Sequence, residues 1–201
     1  MRKLLLLGVA LGAQTAAAMA ADLAPVSVGP VFTCTGFYLG ANVGAAWSTI
    51  QDNGLGGGSS SSVMGGVSAG YNWQFAPSWV VGIEGDASWA DLTIPAGSGD
   101  VNFVGTARVR LGWTPTPTTL IYATGGAAWS TVTIPFVDTL PATQTKNGWV
   151  AGGGVEWAPW ADNWSVRVEY LNYRFTGVLL GAGFAGDITI NEGRVGIAYK
   201  F

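Results

Sequence analysis

The sequence predicts an all-β protein, an eight-stranded antiparallel up-and-down β-barrel that crosses a membrane. Three observations carry this expectation. Only 10% of the residues are charged while 49% are hydrophobic, and the mean hydropathy is +0.34, against roughly 25% charge in ordinary soluble domains. Beyond the N-terminal segment no apolar run reaches the ~20 residues of a spanning helix. The chain instead repeats segments in which apolar residues alternate with small or polar ones, separated by turn residues. Backbone polar groups in hydrocarbon must be satisfied internally, so a chain this apolar without helical spans is left with a closed sheet.

The first element is an export signal. Arg2 and Lys3 precede the apolar stretch Leu4 to Leu11, and Ala18-Met19-Ala20 fits the small-residue pattern of a signal peptidase site. Residues 1–20 therefore read as a signal peptide, cut after Ala20, with a cut one position later, after Ala21, as the alternative. Gln14 and Thr15 interrupt the apolar stretch, which argues against a membrane anchor. Residues 21–35, with Pro25 and Pro30, show no periodicity and read as a periplasmic lead-in to a barrel domain over 36–201.

The strands follow in order. The first, about 36–48, puts Phe37, Leu39, Val43 and Trp47 on one face against Tyr38, Gly40, Asn42 and Gly44. The second, about 62–75, sets Val63, Val67, Tyr71, Trp73 and Phe75 against Gly66, Ser68, Gly70 and Asn72. In the third, about 79–92, Val81, Ile83 and Trp89 oppose Glu84, Asp86 and Ser88; in the fourth, about 101–113, Phe103, Val109, Leu111 and Trp113 oppose Asn102, Thr106, Arg108 and Arg110. The fifth, about 118–132, is blurred by Gly125-Gly126-Ala127-Ala128. The sixth, about 145–157, has Trp149, Val155 and Trp157 opposite Val150, Gly152, Gly154 and Glu156. The seventh, about 164–175, sets Trp164, Val168 and Tyr170 against Ser165, Arg167 and Glu169. The eighth, about 188–201, sets Val195, Ile197, Tyr199 and Phe201 against Glu192, Arg194, Ala198 and Lys200. Eight is an even number, as bacterial single-chain barrels require.

Connections alternate in length. Tight turns are expected at 76–78, 114–117 and 158–163, and longer loops at 49–61, 93–100, 133–144 and 176–187. Short periplasmic turns and long outer loops are the asymmetry of outer-membrane barrels, which places both termini in the periplasm. Tryptophans gather near strand ends, where amphipathic rings form girdles at the two membrane interfaces.

The inward faces carry the candidate site. Glu84, Asp86, Glu156, Glu169 and Glu192 share the lumen with Arg108, Arg110, Arg167 and Arg194. Folding strands three and four about Ala96 sets Glu84 opposite or diagonal to Arg108, and similar counting brings Glu169 near Arg194. Near-balanced signs favour a plug of paired charges in a lumen just wide enough for side chains. The alternative is a polar conduit, a narrow porin-like diffusion path for small solutes or ions.

Other chemistry is scarce. There is no histidine, which removes the commonest general base and metal ligand, so no enzyme activity, cofactor or metal is expected. Acidic residues outnumber basic ones, 12 to 9, so a nucleic-acid footprint is not expected either. Cys34 is the single cysteine; it forms no intrachain disulfide and reads as a buried or periplasmic spectator, with pairing between molecules the other option. The glycines of 54–58 lack the Gly-Lys-Ser/Thr ending of a phosphate loop. Gly152-Gly153-Gly154 lies inside a strand, and Asn163-Trp164-Ser165 is a sequon expected to stay unmodified. A lipocalin-like soluble barrel would need a more highly charged exterior.

Thr35-Gly36-Phe37-Tyr38-Leu39-Gly40-Ala41-Asn42-Val43-Gly44 resembles the first strand of the outer-membrane immunogenic proteins of the Omp25/Omp31 group. Val168-Glu169-Tyr170 and the closing Val195-Gly196-Ile197-Ala198-Tyr199-Lys200-Phe201 are similar to that group as well. Cys34 departs from it, standing where an aromatic or polar residue is expected. The resemblance implies an outer-membrane location and a role in envelope integrity or surface exposure, without a defined biochemical activity. Ile197, Tyr199 and Phe201 resemble the C-terminal tail read by the barrel-assembly machinery, which adds that machinery to outer-membrane lipid as a partner. Any further ligand, unidentified, is expected at the loops, acting as an adhesin or surface antigen, because loops on a rigid scaffold host binding.

Overall fold

In the computed structural model the described residues are 34–51, 59–94, 99–137, 140–159, 163–180 and 184–201. They form eight strands: β1 Gly36–Gln51, β2 Ser59–Ala76, β3 Trp79–Ile94, β4 Gly99–Thr116, β5 Thr119–Val137, β6 Leu140–Trp157, β7 Trp164–Leu180 and β8 Phe184–Lys200. Each pairs antiparallel with its neighbour in sequence, and β1 closes on β8. Closure leaves no open edge in the membrane. The expected signal peptide and most of the lead-in lie outside the described residues.

The registers fix the barrel's shape. Stepping across the ladders from Val80 through Gly112, Tyr122, Gly154, Glu169, Arg194, Gly44 and Met64 returns to β3 at Ala90, ten residues further along. Such a stagger on eight strands tilts them by ~40° and leaves a lumen that side chains fill. The outer wall is apolar, with Phe37, Val63, Ile83, Val109, Val168 and Ile197 all more than half exposed. Trp73, Trp79, Trp113, Trp157 and Trp164 ring the turn end, and Trp47, Trp89, Trp129 and Trp149 ring the loop end. Trp79 and Trp89 stand ten residues apart on β3. At ~3.3 Å per residue and that tilt they are separated by ~25 Å along the axis, the height of an outer-membrane apolar band.

Three sequence expectations change. The stretches 93–100, 133–144 and 176–187 are largely strand: β3 runs to Ile94, β5 to Val137 and β7 to Leu180, while β4, β6 and β8 begin at Gly99, Leu140 and Phe184. Residues such as Thr131, Val132, Thr133 and Ile134 have the β-branched chemistry that continues a ladder beyond the membrane. Asn102, expected inside, is exposed where β4 bulges between Val101 and Phe103. β5 has a regular alternation that its small residues hid: Ile121, Ala123, Ala127 and Trp129 face out, and Leu120, Tyr122, Thr124, Ala128 and Ser130 are buried inside.

Candidate functional site

The lumen is filled in tiers. At mid-height Glu84 is surrounded by all four lumen arginines. It pairs directly with its cross-strand neighbour Arg108, with Arg167 across the lumen at 2.5 Å, with Arg110 at 3.5 Å and with Arg194 at 3.9 Å. Its side chain has no exposed surface, and the Tyr38 hydroxyl donates to its Oε2 at 2.7 Å. Tyr38 in turn accepts from Arg110 at 2.8 Å. Around this hub, Asp86 takes Arg108 at 2.9 Å, Arg194 at 3.5 Å and the Thr106 hydroxyl at 2.5 Å. Glu169 takes its ladder partner Arg194 at 2.8 Å, Arg108 at 3.5 Å and Arg167 at 3.8 Å. Glu156, closer to the turn end, pairs with Arg110 at 3.0 Å and accepts from Ser165 at 2.7 Å.

Glu192 stands apart. Its bond is to Tyr173, whose hydroxyl donates to Oε2 at 2.6 Å, and Arg194 lies 3.9 Å away. The nine charged residues singled out in the sequence thus share one interior, with Glu192 at its margin.

Glycines make the hub possible. A Cβ on Gly40 would come within 2.9 Å of the Ser68 hydroxyl and 3.3 Å of an Arg167 terminal nitrogen. One on Gly154 would meet the Tyr122 hydroxyl at 2.7 Å and the Glu169 Cγ at 2.8 Å. Five donors in a planar fork let each arginine reach several carboxylates at once, and the missing side chains supply the space.

Apolar tiers close both ends. Toward the loops, Met64, Val104, Val150, Leu171, Phe175 and Ile190 form a buried cluster. Toward the turns, Val80, Leu120 and Tyr122 pack with Cys34. The backbone N–H of Cys34 donates to Gln74 Oε1 at 3.0 Å, and the Gln74 N–H donates to Thr35 Oγ1 at 2.9 Å. These bonds fold the segment just before β1 beneath the lumen. Burial, reinforced by nearby Glu156, pushes the Cys34 thiol up against the opposing pull of Lys200 and Arg110. Sequence reasoning turned Val150 inward and allowed Cys34 to be buried, but it recognised neither tier as such; an inward Leu171 or Ile190 in an alternating strand was the available signal.

The seam is closed by the C-terminal residues singled out above. The Phe201 N–H donates to the Phe37 carbonyl at 2.9 Å. The Tyr199 ring meets both Trp164 and Phe201 edge-on with centroids 5.1 Å apart, and Ile197 faces outward.

A wall that is apolar outside, ringed twice by aromatics and salt-bridged within, defines a transmembrane β-barrel of the outer-membrane type. The chain belongs to the outer membrane protein beta-barrel domain family, whose model matches residues 4–201. It is 31% identical to the 25 kDa outer-membrane immunogenic protein of Brucella canis, over 100% of this chain and 99% of that one. It is 34% identical to the 31 kDa outer-membrane immunogenic protein of Brucella melitensis biotype 1, over 92% and 93%. Among solved structures it is similar in fold to the attachment invasion locus protein Ail of Yersinia pestis, with TM-score 0.54 and 15% identity over 83% of this chain and 99% of that one. Neisserial surface protein A is similar as well, with TM-score 0.56 and 17% identity over 83% and 98%.

Proposed function

We propose that this outer-membrane barrel is a sealed structural element that supports the envelope and displays its loop end at the cell surface, with both termini in the periplasm. The observation that carries the reading is the clamp of four arginines on Glu84, held between two apolar tiers. Charges lining a conduit would face water. Here Glu84, Asp86 and Glu169 have no exposed side-chain surface, and the cluster around Leu171 and Ile190 stands between them and the loop end. The channel alternative is therefore disfavoured. The test is planar-bilayer conductance of the refolded mature protein, with gel mobility before and after boiling as the folding control. Silence from a folded sample is expected, and steady reproducible steps would overturn the sealed reading.

Two further parts of the reading have their own tests. Residues 1–20 act as a cleaved export signal, so N-terminal sequencing of the outer-membrane form should begin at Ala21. Phe201 serves the barrel-assembly machinery as well as the seam; deleting it should lower outer-membrane levels in cells, and unchanged levels argue against that role. The relatives named as immunogenic proteins support surface display of the loop end, where recognition as an antigen or adhesin would reside.

A further inference from the structure

The loop-side girdle is not uniform. On β1 to β5 it presents Trp47, Val63, Trp89, Phe103 and Trp129 outward. On β7 and β8 the same depth carries Asn172, Arg174, Thr189 and Asn191. Arg174 is exposed, stands opposite Trp149 in the β6–β7 ladder, and lies over that ring at 5.6 Å. Its guanidinium makes no salt bridge to a described acid. Asn191 Oδ1 accepts from both the Tyr170 hydroxyl and the Asn172 amide at 2.7 Å, which leaves the Asn191 amide N–H groups directed away from that shared oxygen. At the depth of the interface girdle an outward cation is tolerated, and beside the Asn172 and Asn191 amides it makes a polar, positively charged patch where the rest of the girdle is aromatic or apolar.

We infer that the β6–β8 face binds the phosphorylated sugar headgroup of an outer-leaflet glycolipid, lipid A. Arg174 supplies a charge-assisted contact to a phosphate, and Asn172 and Asn191 supply bonds to phosphate or sugar hydroxyls. Trp149 holds the guanidinium in place and offers its ring to the sugar edge. Acyl chains would then lie on the apolar wall below, continuous with Val168 and Val195, which are both more than half exposed. Asp187, exposed on β8 beyond Thr189, is the nearest described outward acid and opposes phosphate.

The inference rests on the proposed orientation, because only then does this face meet the outer leaflet. The experiment is a titration of refolded full-length mature protein in detergent with diphosphorylated lipid A, read by native mass spectrometry. Arg174→Gln should weaken retention ~10-fold or more, Arg174→Lys should recover part of it, and Asp187→Asn should leave it unchanged or improved. Lipid A stripped of its phosphates should bind the native protein as weakly as the intact lipid binds Arg174→Gln. Equal retention by native and Arg174→Gln protein, or equal binding of the stripped lipid, would overturn the proposal. Orientation is read separately with a Cys34→Ser, Thr145→Cys variant, whose new thiol is exposed four residues beyond Trp149 toward the loop end of β6, and a membrane-impermeant maleimide on intact cells. Labelling only after the outer membrane is permeabilised would sink the orientation, whatever the lipid A titration gives.

Discussion

Replacing Glu84 by glutamine sets two simple arguments against each other. By count, Glu84, Asp86, Glu156, Glu169 and Glu192 outnumber Arg108, Arg110, Arg167 and Arg194 by one, so losing an acid balances the lumen and should help. By contact, Glu84 is the carboxylate that all four guanidiniums reach, and the substituted amide turns donors toward donors. Removing one partner of a buried pair costs ~3–5 kcal/mol, and local geometry should win over net charge at these distances. With a urea slope of about 2–3 kcal/mol per molar, the unfolding midpoint of Glu84→Gln in lipid vesicles should fall by ~1–2.5 M. Glu192→Gln provides the opposite case. It has one ion-pair partner, at 3.9 Å, and the Tyr173 hydroxyl at 2.6 Å, so the midpoint should stay within the equivalent of ~1 kcal/mol. Glu156→Gln, bridged to Arg110 alone and 18% exposed, should fall between, at ~1–2 kcal/mol. Tryptophan fluorescence and the heat-dependent gel shift both follow the transition. A Glu84→Gln midpoint at or above the native value, or a larger loss in Glu192→Gln, would refute the contact argument.

Other consequences are equally concrete. Gly40→Val must push into Ser68 and Arg167 and should cost ~1–3 kcal/mol or prevent folding. Gly85→Val, whose Cβ would meet nothing nearer than the Thr106 carbonyl at 3.7 Å, should be neutral or stabilising by the same gel assay. Leu171 is fully buried in the loop-side tier, so Leu171→Ala should lose ~2–4 kcal/mol in vesicle unfolding; an unchanged midpoint would mean that this tier is not packed. Cys34 needs the thiolate to react, and burial raises its pKa. Alkylation by iodoacetamide at about pH 8 should therefore be much slower in the folded barrel than in urea-unfolded protein and should accelerate as pH rises. Equal rates in the two states would contradict the closed floor.

Much of the wall was readable because a strand has a period of two and register is propagated by tight turns. Counting about Ala96 sets Glu84 across from Arg108, and the ladder pairs the same two residues. The salt bridge from Arg167 to Glu84 was not readable. It joins strands that are not neighbours, and its existence depends on the stagger of the whole barrel, which no local pattern contains. The apolar tiers escaped for a different reason. Leu171 and Ile190 occupy alternating strands like any other, and apart from Val150, which its strand's alternation turned inward, a reading that assigns apolar residues to lipid leaves the tier's members unrecognised. Loop lengths were overestimated because serine, threonine and glycine mark turns in one context and water-exposed strand in another.

The placement of the lumen charges also bears on how the molecule can be put together. The β3–β4 hairpin brings Glu84, Asp86, Arg108 and Arg110, two of each sign; the β7–β8 hairpin brings Arg167, Glu169, Glu192 and Arg194, again two of each sign. The lumen-facing charges of each hairpin cancel before it meets the other, so neither hairpin brings an uncompensated lumen charge into the bilayer. They then mate across the lumen through Arg167 with Glu84, Arg194 with Asp86, and Arg108 with Glu169, like the two faces of a dimer interface drawn into one chain. A barrel of this kind can in principle be divided between β4 and β5 and reassembled from its halves, each half selecting the other through the charges it presents.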